Sequence, residues 1–426
     1  MLDRTQSPFI NPIHHLKLPP VAYYTLDNGI PLYVVNMGTQ EVLKVEIVFN
    51  SGRPYEQKKL AARATASMLK EGTKNFTSAA IAEKIDFYGA GLSTPFNIDT
   101  SNITLFSLTK HFEKVLPILA EMLQCPIFPQ QELDTFIQVN QQSLQIDLTK
   151  NDTIAYRTVT ELIFGANHPY GYNSFPETYG ELHRDDLVRH FERCYTAGNC
   201  TIFLSGKIES DTIELLNKYL STAILKGNLI EPNRVEGNKQ QPQPVRVKLP
   251  DTIQMAIRIG RKLFNRHHPD YAGMYVLNTV LGGYFGSRLM ENIREEKGYT
   301  YNIYSVLDTM NFDGCFYIST EVGNEFVNQT IAEIYKEMQC LSEEIVEAPE
   351  LEMVRNYLLG NFLTMLDGPF NVSDVVKTLV TENLPLSFFE ELVEKIQSID
   401  SETLRSLAQQ YLNPKDYWEV IVGEVG

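Results

Sequence analysis

Two stretches of this 426-residue chain follow one pattern, LVRHFERCYTAGNCTIFLSGKI at residues 187–208 and LRSLAQQYLNPKDYWEVIVGEV at residues 404–425. Each runs as a helix-like segment, a tyrosine, a turn and an apolar strand that closes on glycine. Tyr195 matches Tyr411 and Gly206 matches Gly423, so the offset between the copies is nearly constant. A period close to half the chain implies a duplicated domain and excludes a short-repeat solenoid. Between the copies, residues 226–250 (KGNLIEPNRVEGNKQQPQPVRVKLP) are rich in Pro, Gln, Asn and Gly and lack sustained apolar periodicity. Such a stretch reads as a linker. The expected organisation is a domain over residues 1–226, a linker over 227–250 and a homologous domain over 251–426.

Residues 23–36 and 42–49 read as strands, with an Asn28-Gly29 turn inside the first. Residues 60–70, 77–88 and 111–123 read as helices, 101–108 as a strand and 131–150 as a long helix. The second half repeats the mixture: strand 252–260, helices 271–281 and 287–297, strands 301–309 and 314–322. This irregular alternation favours α+β layers over a doubly wound parallel sheet.

The balance of 37 basic against 53 acidic residues gives a net charge of −16. A chain this acidic is a poor binder of nucleic acid or anionic membrane by bulk charge. Its five cysteines (Cys125, Cys194, Cys200, Cys315 and Cys340) are odd in number and form no C-x-x-C. That argues against a disulfide framework or a cysteine zinc knuckle and for reduced thiols. The N-terminal stretch MLDRTQSPFINPIHHLKLPP has no apolar core of the export-signal kind, and no run approaches 18 apolar residues. A cytoplasmic protein without a membrane span is expected.

The segment richest in chemistry is GGYFGSRLMENIREEKGYTYNIYS, residues 282–305. Ser287 reads as an N-cap, Gly298 as the residue that stops the following helix, and Arg294 as a member of its last turn. Tyr299 and Tyr301, two apart on the expected next strand, would share a face. A guanidinium and a phenol delivered to one corner can hold a peptide carbonyl and stabilise an oxyanion. Composition alone favours the plainer arrangement, an Arg294 paired to a surface glutamate and two core tyrosines.

This segment resembles the second-domain signature of the insulinase (pitrilysin) family of zinc peptidases, in the two-domain branch that includes the mitochondrial processing peptidase. In that signature an Arg and a Tyr seven apart complete the active site, and Arg294 and Tyr301 have this spacing. The first half is similar too, in LDNGIPLYVV, SGRPYE, LKEGT, NHPYGY and the YTAGNCTIFLSGKI strand. The resemblance implies two homologous α/β-roll halves facing each other across a cleft.

It also implies where a metal would be held. The family carries an inverted motif, H-x-x-E-H, on a helix just before the Gly-Thr of LKEGT, with a further Glu on a downstream helix. Two His at that spacing share one helix face and bind zinc, and the Glu activates water. Here the motif positions read Arg63-Ala64-Thr65-Ala66-Ser67, so Arg63 and Ser67 replace both His and Ala66 replaces the Glu. Counted back from NHPYG, the third-ligand position falls near Gln145, with Asp147 close by. No zinc is expected in this chain. None of the eight His forms H-x-x-x-H, and the pairs His14-His15 and His267-His268 read as solvated loop residues.

Some members of the family are heterodimers in which one subunit holds the zinc motif and the other only the Arg/Tyr pair. By that resemblance the chain is expected to be the zinc-less subunit, with zinc and the general base in a homologous partner. Its own contribution would be Arg294, Tyr301 and a wall for peptides or unfolded segments, bound as a strand added to a sheet edge. Alone it would be inactive and could pair with itself. The alternative is a non-enzymatic scaffold or peptide-binding pseudoprotease.

Overall fold

Asn28 and Gly29 turn the chain into its first sheet. Gly29 takes φ +92°, open to glycine and costly to side chains, and Leu26 N–H donates to the Ile30 carbonyl at 2.9 Å. The computed structural model describes residue 13, residues 15–250 and residues 252–424. Most of the stretch read for an export signal, and His14, lie outside the described residues. The flanking strands β1 (Ala22–Thr25) and β2 (Pro31–Asn36) are followed by β3 (Val42–Phe49), β4 (Gly91–Ser93), β5 (Ser101–Leu108) and β6 (Cys200–Gly206). These form one sheet in the order β1-β2-β6-β3-β5-β4. The second sheet contains β7 (Pro244–Lys248), β8 (Gln254–Leu263), β9 (Ile303–Thr309), β10 (Gly314–Gly323) and β11 (Trp418–Gly423), in the order β7-β11-β8-β10-β9.

The second order repeats the first without β1. In each sheet one pair is parallel, β2 with β6 and β7 with β11, and the other pairs are antiparallel. The strands that close the two sequence copies, β6 and β11, hold the same place. Gly206 and Gly423 end them with φ +122° and +152°. A Cβ on Gly206 would stand 2.3 Å from the Val42 carbonyl oxygen, so the strand end admits only glycine. The polar stretch between the halves is coil except for β7, which pairs with β11. Asn233 and Asn238 tie the coil down: the Asn233 amide donates to the Glu56 carbonyl at 2.8 Å and Asn238 N–H to the Phe164 carbonyl at 3.0 Å.

The period-2 alternation of strands explains what lies between the halves. In β3, Leu43, Val45, Ile47 and Phe49 face the first core, made with the helices Ala61–Met68, Phe112–Gln124 and Ser210–Ala223. Lys44, Glu46 and Val48 point the other way and are buried too, because helix Gly368–Thr381 of the second half lies there. Val372 and Val376 of that helix pack with Val35, Val48 and Phe203. The second sheet does the converse. Met255, Ile257 and Ile259 face its own helices, while Ala256, Val420 and Val422 receive Ala155, Val159 and Ile163 of helix Asn151–Phe164. Each half thus lends the other a 14-residue helix.

Charges are buried in both contacts. Glu46, with 4% of its side chain exposed, lies 3.4 Å from Lys44 and 2.7 Å from Lys377, and Lys44 also reaches Asp374 at 2.8 Å. Arg258, equally buried, donates to Asp152. Removing one member of a buried set leaves its partners desolvated and unpaired. We expect Glu46→Ala to lower unfolding stability by about 3 kcal/mol in urea titrations, and the half-exposed Asp374→Ala to cost at most about 1 kcal/mol. Equal effects would mean that the lysines are not held by Glu46.

Candidate functional site

The expected helix over 287–297 is wider than foreseen. Residues Met290–Glu296 wind as a π-helix, with Lys297 N–H donating to the Asn292 carbonyl at 3.1 Å, five residues back. A second π-turn, Thr279–Gly283, follows helix Tyr271–Asn278. Such turns are uncommon and concentrate at functional sites. Ser287 does not cap: its Oγ is buried without a partner. Gly298 does end the segment, at φ +67°, and Arg294 lies in its last turn.

The two tyrosines part company. Strand β9 begins at Ile303, so neither tyrosine lies on it and they share no strand face. Tyr299 packs against the second core and stacks on Phe326 with ring centroids 4.8 Å apart. Tyr301 is 86% exposed. The Arg294 guanidinium stands 5.5 Å from the Tyr301 ring centroid and 4.6 Å from that of the exposed Phe285. Its ionic neighbour is Glu295, at 3.7 Å. Tyr284 continues the aromatic surface, 5.0 Å from the Tyr357 ring and with its hydroxyl 3.6 Å from Met353 Sδ. The arrangement presents a cation and a phenol outward, on aromatic support.

The helix expected to carry the metal motif is Ala61–Met68. The chain enters it through Leu60, a buried non-glycine residue at φ +71°. The i, i+4 spacing sets Arg63 and Ser67 on the less buried face, and Ala66 is fully buried. Arg63 donates to the Tyr179 hydroxyl at 3.2 Å and to Asn140 Oδ1 at 3.0 Å. Asn140 lies on helix Gln130–Asp147 and occupies the place opposite the motif. Gln145, the position counted from sequence, is exposed further along that helix. Helix periodicity explains the difference: five residues turn a side chain well off the face of Asn140, and counting from a distant landmark cannot fix the phase. A guanidinium, a methyl, a hydroxyl and a carboxamide do not make a zinc site, because none supplies an imidazole, thiolate or carboxylate. Among the described residues, no group of three or more His, Cys, Asp or Glu converges as metal ligands.

Arg63 instead borders three adjoining cavities of about 610, 300 and 460 Å³. None of them is lined by Arg294 or Tyr301, so the two parts of the expected site do not meet within one of these cavities. The 300 Å³ cavity is also lined by Arg53 and Arg157 and by Tyr156, Tyr170 and Tyr172. Sequence reading missed these; the NHPYGY segment that carries Tyr170 and Tyr172 was the available signal.

Behind that wall stand two buried carboxylates. Glu56 accepts from the Tyr172 hydroxyl and from Ala62 N–H, capping the motif helix. Asp99 accepts from the Tyr170 hydroxyl and, at 3.0 Å, from Asn311 N–H of the second half. Burial pushes Glu56 up to about 7, although Tyr172, Ala62 and Arg53 all favour its charged form. Burial likewise raises Asp99 to about 6. Both phenols are raised in turn, by burial first and by the adjacent carboxylate second, and remain donors.

Residues 33–165 match the family described as insulinase (peptidase family M16), and residues 181–358 the peptidase M16 inactive domain. The "uncharacterized zinc protease YmxG" of Bacillus subtilis is 22% identical over 95% of this chain and 98% of its own length. The "non-peptidase homolog YmxG" of Helicobacter pylori is 26% identical over 85% of this chain and 84% of its own. A crystal structure of a peptidase M16 inactive domain from Pseudomonas fluorescens superposes with a TM-score of 0.88 at 22% identity, covering 95% of this chain and 98% of that one. The fold is that of two-domain M16 proteins.

The raised carboxyls fix a pH dependence. The unfolded chain loses the Asp99 and Glu56 protons near 3.8 and 4.5, the folded chain only near 6 and 7. Between these values the folded state binds more protons, so these two groups lower stability as pH rises from about 4 to about 7. His190 acts oppositely: burial lowers it to about 4, so it lowers stability as pH falls below about 6.5. The difference between wild type and Glu56→Gln isolates the first effect. We expect Glu56→Gln to gain stability relative to wild type between pH 5 and pH 7.5 in urea titrations; a constant difference would show that Glu56 ionises normally.

Proposed function

Because the chain belongs to the insulinase (M16) family of peptidases, we propose that it is a zinc-less subunit of a heterodimeric metallopeptidase, completing the active site of a zinc-bearing homologue. One observation carries the reading. Tyr301 is 86% exposed and supported by Arg294, whereas Tyr299, two residues earlier, is committed to the core. A phenol kept for packing would lie half-buried against the core, as Tyr299 does. An exposed phenol beside a guanidinium, in a surface of Tyr, Phe and Met, has the composition of a protein-contact hot spot.

The roles follow from the groups. The Tyr301 hydroxyl donates to the scissile carbonyl oxygen as negative charge develops on it. Arg294 holds a neighbouring substrate carbonyl with its fixed fork of donors. The partner supplies zinc and the general base, which the positions of Arg63, Ala66 and Ser67 cannot supply. Substrates are extended polypeptides, and among the described residues the edge strand β4 leaves one side unpaired for an added strand. All five thiols are unpaired, which suits a reducing cytoplasm, and no helix among the described residues is long and apolar enough to cross a membrane. The competing reading, a non-catalytic scaffold, draws support from the relative named a non-peptidase homolog.

The isolated chain, purified without chelator, should carry far less than one zinc per molecule and cleave no peptide. In the reconstituted heterodimer, Tyr301→Phe should lower peptide turnover by about 10²–10³-fold with assembly intact by gel filtration. Arg294→Ala should lower it as well, and Tyr299→Phe, which keeps its stacking, should change it little. Wild-type turnover in both the Tyr301→Phe and the Arg294→Ala complexes would replace this reading with the scaffold.

A further inference from the structure

The geometry points to the 300 Å³ cavity beside Arg63 as a receptor for a carboxylate group of a bound polypeptide, an anion site standing where the family fold holds a cation. Three guanidiniums line it, those of Arg53, Arg63 and Arg157. None forms an ion pair among the described residues, although seven other arginines do. Their own contacts are neutral. Arg53 donates to the Tyr172 carbonyl at 3.3 Å and lies 4.4 Å from that residue's ring centroid, Arg63 donates to Tyr179 and Asn140, and Arg157 donates to the Ser174 carbonyl. Among the described residues the only carboxylate on the wall is Asp147, held by Lys150 at 2.8 Å. Glu56 and Glu161 act on Arg53 and Arg157 from behind the wall without closing an ion pair.

Three like charges around one cavity repel each other, and Arg157 is held below its usual range by burial first and by Arg53 second. In a chain with net charge −16, where carboxylates outnumber cations, this set is left unneutralised. An entering carboxylate relieves the repulsion and gains charge-assisted hydrogen bonds, two at once where a guanidinium meets it edge-on. The Tyr156 hydroxyl, raised to about 12 chiefly by burial and forming no hydrogen bond among the described residues, adds a neutral donor. A polypeptide is the fitting bearer. The cavity adjoins the two larger ones through Arg63, and the 610 Å³ one reaches Ser93 at the end of edge strand β4. An extended segment lying there can drop an Asp or Glu side chain, or its own C-terminus, among the arginines.

The inference rests on the reading of this chain as a wall for polypeptides, but not on Arg294 or Tyr301. It is tested with the isolated full chain by fluorescence anisotropy, using a labelled unstructured peptide rich in glutamate, its C-amidated glutamine twin, and inorganic phosphate and glutarate as separate competitors. We expect the acidic peptide to bind at least about tenfold more tightly than the twin. Arg63→Gln and Arg157→Gln, each checked for folding by circular dichroism, should remove most of that preference. Equal binding of both peptides, or a preference that survives both substitutions, overturns the site while leaving the polypeptide wall standing. Binding of neither peptide overturns the site and counts against the wall as well. Displacement by phosphate well below the concentration at which glutarate displaces would mark a phosphate pocket and overturn the peptide assignment. Turnover is not read, so failure here is separate from failure of the catalytic pair.

Discussion

Each sheet needs two apolar faces covered, and each half has helices of its own for only one of them. The exchange of helices Asn151–Phe164 and Gly368–Thr381 settles that need for both halves at once. The rest of the structure depends on it. Helix Asn151–Phe164 gives Ala155, Val159 and Ile163 to the second sheet and, from its other face, Tyr156 and Arg157 to the cavity beside Arg63. The loop that follows carries Tyr170, which closes on Asp99, and Asp99 takes Asn311 N–H from the opposite half. The cavity wall and the contact between halves are therefore one piece of structure. A disturbance of the second sheet would be felt by the arginines of the first half.

The duplicated plan was legible in the sequence because closing strands are among the most buried parts of each half. The strands β6 and β11 and the glycines that end them cannot drift without exposing a sheet, so their pattern survives where the rest has diverged. The hairpin at Asn28-Gly29, strand β5 and helices Ser78–Phe87 and Phe112–Gln124 were likewise readable within a residue or so, since local periodicity and turn chemistry decide them. Strand β7 was not, because its residues alternate between half-buried and exposed and it owes its form to β11. Local pattern also could not show that Lys44, Glu46 and Arg258 are buried. Their burial comes from a helix hundreds of residues away for the first two and about a hundred for the third.

At the candidate site the same division holds. That residues 63, 66 and 67 lack metal ligands needs only the sequence. That Asn140 rather than Gln145 meets Arg63 needs the rotation of one helix against another. The environment of Tyr301 is not legible in the sequence because π-turns leave no periodic signal that separates them from an α-helix, and because residues 298–302 run as irregular chain before β9 starts at Ile303. The consequence was the separation of two tyrosines that a strand would have aligned. An Arg63 where the resemblance expects a motif His also does more than leave out a ligand. It reverses the sign of the charge that the surroundings must accommodate, and the neighbouring Arg53 and Arg157 extend that reversal instead of correcting it.

The exchanged helices also bear on how the chain acquires its shape during synthesis. Strands β2, β3 and β6 have left the ribosome long before residues 368–381 are made, and Val35, Val48 and Phe203 stay wet until those residues arrive. The first half can reach a collapsed state with one apolar face still open, bearing Lys44 and Glu46, which in water are solvated rather than stranded. Those two charges serve the nascent chain as well as the finished one: a sheet face interrupted by charge is a poor template for sticking to its neighbours on a polysome. What the folded protein must neutralise inside a contact thus serves, for the time of translation, as a guard on an unfinished surface.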